Sequence, residues 1–397
     1  MADGFLHGVE VLEIDTGARP IETVRSSVIG IVGTAPRADE AAFPLNTPVM
    51  IAGSRAEAAK LRKNTGSADG TLPDALDSIF DQAGAVVVVV RVEAVDDAQQ
   101  QLANVVGGVD SNTGAYTGVH ALLGAESKLG VAPRILIAPG FTHQRSDDTK
   151  NAVVAELQGI AERMRAVVIA DGPNTNDEAA QKHAQQIGSP RVYVVDPWVR
   201  KLNETGQIVD APPSACVAGI IAKTDNDSGF WVSPSNKPIN GIVGVSRPVD
   251  FVLGDTSSRA NLLNENHVAT IIRQDGYRLW GNRTSAKNDP KWMYLSVRRT
   301  ADMINDSLLR AHMWAVDRNI TKTYLQDVTE GVNAYLRHLA NIGAIINGRC
   351  WADPELNTPD QIQQGRVYVD FDFSASYPAE HITFRSQLTN RYLTEVF

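Results

Sequence analysis

Cysteine is nearly absent from this 397-residue chain: Cys216 and Cys350, in SACVAG and GRCWAD, are all it has. Two thiols so far apart in sequence make a disulfide framework an unsuitable reading. With no C-x-x-C and no H-E-x-x-H, no zinc signature is written either. GxxxxGK[ST] and G-x-S-x-G are also missing, which removes the phosphate-cradling loop and the nucleophile elbow. Of the eight histidines (His7, His120, His143, His183, His267, His312, His338 and His381), no two stand three or four residues apart. No run reaches the 18 or so apolar residues of a membrane span. The start, MADGFLHGVEVLEIDTGARP, has neither the basic nor the apolar region of a secretory signal. The expectation is a soluble chain made in the cytoplasm, without membrane insertion, cofactor, metal or catalytic residues. No internal repeat, heptad array or low-complexity tract is present.

What remains is an ordinary globular composition, 43% hydrophobic and 21% charged, of a length that suits two or three domains. The formal net charge of -9 argues against binding nucleic acid over the whole surface. The local exceptions, Arg273, Arg278, Arg298 and Arg299 among Tyr277, Trp280 and Trp292, read as rim arginines beside core aromatics.

Along the chain, residues 9–14 and 21–24 are short strand-like runs separated by Gly17-Ala18-Arg19-Pro20. Residues 28–32, 48–51 and 85–92 read as strands. A helix over 72–83 follows a capping-box-like Thr71-Leu72-Pro73-Asp74. Residues 96–114 are polar and Gly-rich, an insertion with one short helical piece. From Pro133 strand and helix alternate: strands at 134–138, 166–170 and 191–195, helices at 147–165, 177–187 and 214–223. This pattern predicts parallel βαβ units in a three-layer α/β sandwich. The carboxyl ends of such strands are where ligands bind. Here they carry Asp171 and Asp196, for which turn and cap roles are the better reading in the absence of a phosphate loop or metal partner. A Pro- and Gly-rich stretch at 229–249 leads to an α+β unit. Its expected parts are a hairpin at 268–280 turned by Asp275-Gly276, a strand at 292–298, helices at 300–316 and 323–341, and a strand at 367–373. A last alternating run carries Ile382, Phe384, Ser386 and Leu388.

RANLLNENHVATIIRQDGYRLWGNRT, within residues 259–284, resembles the signature stretch of contractile tail sheath proteins, the family of myophage tail sheaths and R-type pyocin sheaths. HGVEVLEID, PRILIAPG, SRPVDF, AHMWAVDRNIT and GRVYVDFDF agree with the same family in the expected order. The resemblance implies four parts: an N-terminal arm (1–25), an outer α/β domain (26–250, with an insertion near 96–131), an inner α+β sheath domain (251–380) and a C-terminal arm (381–397). It implies six-fold rings stacked in a helix around an inner tail tube protein, with baseplate and tail terminator proteins as further partners. Contraction of that helix would drive the tube through the target envelope.

By position, strand exchange between subunits falls to Val9, Val11, Leu12, Ile14, Ile21 and Val24 in one arm. In the other it falls to Ile382, Phe384, Leu388 and Tyr392. The polar side of the second helix, with Lys322, Asp327, Glu330, Asn333 and Arg337, is expected to face the tube. The alternative from another class is a Rossmann-like enzyme with a C-terminal oligomerisation domain.

Overall fold

A computed structural model describes residues 21–64, 69–144, 149–203 and 205–392. The chain divides into two compact units. The larger comprises Ser26–Arg299 with Tyr377–Phe397, the smaller Met1–Arg25 with Thr300–Ser376.

The larger unit is mixed α/β. Its strands are β1 (Ile29–Thr34), β2 (Val49–Ala52), β3 (Val86–Val92), β4 (Gly108–Val109), β5 (Tyr116–Thr117), β6 (Ile135–Ile137), β7 (Val167–Asp171), β8 (Val192–Val195), β9 (Val199–Leu202), β10 (Ile208–Ala211), β11 (Gly244–Val245), β12 (Val268–Arg273) and β13 (Tyr277–Trp280). Its helices are α1 (Arg55–Ala58), α2 (Leu72–Phe80), α3 (Ala98–Val106), α4 (Ala125–Leu129), α5 (Ala152–Met164), α6 (Asp177–Ile187), α7 (Ser214–Ser228) and α8 (Arg259–Glu265). Eight strands form one sheet in the order β13-β12-β8-β7-β6-β1-β3-β2, parallel except at its two edge strands.

The Val/Ile runs of β1, β3, β7 and β8 are buried along almost their whole length. A strand covered on both faces needs no polar alternation. One face packs α2 and α7 through Leu72, Leu76, Ile79, Val217 and Ile221. The other packs α5 and α6 through Val154, Leu157, Ala180 and Ile187, which completes three layers. The insertion holds α3 and the small β4–β5 hairpin. A three-stranded sheet, β10-β9-β11, was not foreseen, its strands being two to four residues long.

The hairpin lies elsewhere than expected. Asp275 and Gly276 both take positive φ, 49° and 99°, as the dipeptide demands. However, Val268 and Ala269 pair in parallel with Val194 and Val195, which adds the hairpin to the large sheet. Only Arg273 of β12 is exposed, the profile of an inner strand rather than of a half-open sheet. The boundary expected at 250/251 therefore falls at 299/300.

The smaller unit holds most of α9 (Leu295–Ala311), then α10 (Lys322–Asn341), β14 (Ile345–Ala352), α11 (Pro359–Gln363) and β15 (Val369–Ala375). The expected strand at 292–298 is instead the start of α9. Its first three turns are buried almost all round, through Leu295, Val297, Ala301, Met303 and Ile304 among others, so no period-2 alternation marks a strand there. β14 and β15 form an antiparallel two-stranded sheet. The alternating run at 382–388 joins no ladder among the described residues. No helix among them is long and apolar enough to cross a membrane.

Candidate assembly surfaces

An α/β enzyme binds its ligand at the carboxyl ends of the strands, where the strand order reverses. In this sheet that point lies between β1 and β6. The chain fills it with its own backbone. Thr71 N–H donates to the Thr34 carbonyl at 2.9 Å, and Thr34 N–H donates to Thr71 Oγ1 at 3.2 Å. Thr71 thus serves β1 and gives its own helix no side-chain cap. Gly70 approaches so closely that a Cβ there would meet the Thr34 carbonyl.

Asp171, fully buried, accepts from Ser214 N–H at the start of α7 (2.8 Å) and from Thr142 Oγ1 (3.0 Å). Burial pushes its carboxyl up to about 6, against these hydrogen bonds. Asp196 accepts from Asn174 N–H at 2.8 Å and is ion-paired with Arg247. Arg247 also reaches Asp177 at 2.9 Å, which Arg259 holds from its other side at 2.8 Å. Arg247 belongs to the SRPVDF stretch and Arg259 opens the signature stretch. These family words therefore supply the side chains that close the strand ends. Both aspartates serve the fold.

The signature stretch ends in Asn282-Arg283-Thr284. Arg283 grips Glu380 with two nitrogens, at 2.7 and 2.5 Å, and the Tyr294 hydroxyl donates to the same carboxylate at 3.2 Å. Tyr377 packs edge-on against Tyr294, with ring centroids 6.1 Å apart. Sequence reading missed this clamp, although its arginine lay inside the stretch singled out. It fixes the root of the C-terminal segment on the α/β unit. Beyond Glu380 the chain runs free of cover: Ile382 is 68% exposed, Phe384 91%, Leu388 101% and Tyr392 68%.

At the other arm, Val9, Val11, Leu12 and Ile14 lie outside the described residues. Ile21 and Val24 are half-buried. Val24 N–H donates to Ser307 Oγ at 3.1 Å, and Thr23 Oγ1 meets the Tyr335 hydroxyl at 2.9 Å. This piece rests on α9 and α10 of its own chain.

On α10, Val328, Val332, Tyr335, Leu336 and Leu339 are buried, and Lys322, Asp327, Glu330 and Arg337 are exposed. Asn333 departs from the expectation. Its amide donates to the Cys350 carbonyl at 2.9 Å and accepts from Cys350 N–H at 2.8 Å. An amide used twice inside the unit ties α10 to β14 and is not available to a tube. The neighbouring Gly348 N–H is taken by Asn347 Oδ1 at 2.9 Å.

β15 offers the opposite picture. Phe371 and Phe373 stack on one face and stay half-buried; Asp372 and Ser374 on the other are exposed. Asp370 stands beside Asp353, whose hydrogen bond raises the Asp370 carboxyl above its usual range. No group among the described residues bonds a backbone N–H or C=O on the outer edge of β15.

Three family models match in succession. "Tail sheath protein Gp18 domain III N-terminal region" covers residues 26–92, "Phage tail sheath protein central domain" 114–285 and "Phage tail sheath C-terminal domain" 287–389. A prophage major tail sheath protein of Pseudomonas aeruginosa (strain UCBPP-PA14) is 46% identical over 393 residues, 99% of this chain and 98% of that one. The tail sheath protein of Escherichia phage P2 is 38% identical over 401 residues, with 99% and 98% covered. Among solved structures, the sheath complex of an extracellular contractile injection system (PVC) in the contracted state shares the fold. Its TM-score is 0.69 at 18% identity, over 99% of this chain and all of that one. The chain belongs to the phage tail sheath protein family.

Proposed function

We propose that this chain is the structural subunit of a contractile sheath in a phage tail or phage-tail-like particle, polymerising as stacked rings around an inner tube. Its role is mechanical and not catalytic. The carrying observation is the C-terminal segment: four large apolar side chains, each more than two-thirds exposed, on a stretch rooted by Arg283 and Glu380. Alternating apolar residues on a strand without a partner create an edge that pairs with another chain. A head-to-tail contact that does not close builds a helix.

The exchanged segments are residues 9–14 and 382–392. The exposed face of α10, with Lys322, Asp327, Glu330 and Arg337, meets the tube, and the α/β unit faces outward. Baseplate and terminator proteins close the ends of the stack. Contraction is a rearrangement between two packings of rigid bodies joined by these arms, without nucleotide. The filled crevice at Thr34 and Thr71 leaves the enzyme alternative without a ligand site at the position where this fold type provides one.

Negative-stain micrographs of the purified chain should show sleeves. Removing residues 386–397 should leave a soluble, folded subunit that forms none. Normal sleeves from the truncated chain would remove the arm from the mechanism.

A further inference from the structure

We infer that copies of this chain also meet body to body: the β4–β5 hairpin of one copy seats in a basic, largely apolar pocket beside β12 of the next. This rests on the assembly reading above and adds a contact between α/β units to the exchange of arms.

The pocket lies between the three-stranded sheet and the end of β12 and has a volume of about 360 Å³. An apolar cavity of about 150 Å³ already admits benzene, so an aromatic side chain fits. Ile208, Val243, Pro248 and Ile271 line it, and its charged lining residues are Arg200 and Arg273. Ile208 is 63% exposed and Val243 47%; Leu202, opposite Ile208 in the ladder, is 55% exposed. Exposed apolar side chains gathered around a concavity mark a place where another surface lands. Arg200 is held by Asp210 at 3.0 Å. Arg273 has the ring of Tyr277 at 5.8 Å and no acidic partner among the described residues. The pocket therefore suits an apolar group that carries an acid. The C-terminal arm is the poorer occupant, since it brings Arg385, of the same charge as the pocket.

The hairpin supplies both properties. Val109 and Tyr116 oppose each other in its ladder and are 61% and 38% exposed. Asp110 follows Val109 directly. One of its oxygens accepts from the N–H groups of Thr113 (2.8 Å) and Asn112 (2.9 Å), which fixes the loop. These bonds, those from Thr113 foremost, hold its carboxyl below the usual range. No group among the described residues bonds its second oxygen. A loop already ordered loses little freedom when it docks.

The two features cannot meet within one chain. β3 and β12 run in the same direction with four strands between them, which sets them about 24 Å apart. The hairpin is tied to the β3 side: Gly118 N–H donates to Asn46 Oδ1 at 2.9 Å, and Asn46 N–H to the Arg91 carbonyl at 2.8 Å. Arg91 stands at the carboxyl end of β3 and Arg273 at that of β12, so both features belong to one end of the sheet, on opposite flanks. A knob on one flank and its socket on the other make a head-to-tail contact, which repeats from copy to copy. The arms tie copies together; this contact sets how their bodies lie side by side.

Charge reversal in trans tests the contact. Asp110→Arg and Arg273→Glu would each be assembled alone, together in one chain, and as an equimolar mixture of the two single variants. Each single variant sets like charges against each other and should raise the subunit concentration needed for sleeves on the order of tenfold. In the mixture, an arginine hairpin meets a glutamate pocket, and at the next contact a native hairpin meets a native pocket. The mixture and the double variant should both assemble close to the parent, a rescue that misfolded chains could not give. Single variants that assemble like the parent would overturn the contact and leave the sheath reading standing. So would a mixture no better than its components. A loss from Arg273→Glu alone would also overturn it, since another segment would then fill the pocket. An unaltered chain that forms no sleeves would remove the sheath reading, and this contact with it.

Discussion

The eight-stranded sheet and the two-stranded sheet treat their edges differently. The large sheet ends on one side in the four-residue β2, and on the other in β13. The segment at 236–239 covers β13 through Leu279 N–H to the Lys237 carbonyl (3.0 Å) and Ile239 N–H to the Tyr277 carbonyl (2.9 Å). Pro238 within that segment has no N–H to offer a further strand. The small sheet occupies backbone groups of β14 with Asn333 and Asn347 and leaves the outer edge of the seven-residue β15 without a bonded partner among the described residues. A sheet that must stay a body blunts its edges; a sheet that must join copies keeps one open. On the proposed function, the α/β unit would serve as the rigid body and the C-terminal unit and the arms as the means of association.

The comparison breaks most visibly if the body proves not to be rigid. Arg299 and Asp225 form an ion pair with side chains only 3% and 1% exposed, and Arg299 also donates to the Ser26 carbonyl at 3.2 Å. Arg299→Ala leaves a buried carboxylate without its partner and should cost about 3–5 kcal/mol in denaturant unfolding. A loss below about 1 kcal/mol would mean that water reaches this part of the core.

Asp171 gives a pH-resolved version of the same test. Its carboxyl titrates at about 6 in the folded unit, against 3.8 ordinarily. Between these values the folded chain holds a proton that the unfolded chain has released. Its contribution to stability is therefore greatest below the ordinary value and falls as pH rises through about 6, by up to about 3 kcal/mol in all. Unfolding curves from about pH 4 to about pH 7.5 should show Asp171→Asn gaining on the parent as pH rises. A constant difference would mean that Asp171 stays charged when buried.

The smallest effect on stability belongs to the exposed face of α10. Glu330→Lys with Arg337→Glu should change folding stability by less than about 0.5 kcal/mol. The same pair of changes should reduce co-sedimentation of the sheath with its tube. Unchanged co-sedimentation would move the tube contact to another surface of the smaller unit.

Much of the large unit was legible because its signal is periodic. The α6 helix matched its expected bounds, and the strand at 191–195 was off by one residue. Apolar runs buried on both faces look alike in sequence and in the sheet. β14, IINGRCWA, was illegible: it carries Asn347, Gly348 and Arg349 in its middle and skips a residue in the ladder between Ile345 and Asn347. Gly348 is needed there because a Cβ would strike the Asp372 backbone carbonyl of β15, 2.7 Å away. Asn333 was misjudged for a related reason. A polar residue on a helix surface reads as solvent-facing, and only the structure shows that its amide is spent on Cys350. The alternating run at 382–388 reads as a strand in sequence, whereas among the described residues it joins no ladder.

Backbone hydrogen exchange, compared between unassembled subunits and sleeves, tests the division of labour most directly. Residues 382–388 and the amides of Val369, Phe371 and Phe373 should exchange freely in the subunit. In sleeves they should slow by about a hundredfold or more, while β1, β3, β7 and β8 stay equally protected in both. Sleeves in which the arm and the β15 amides still exchange freely would contradict the claim that an open sheet edge, filled by another copy, holds the sheath together.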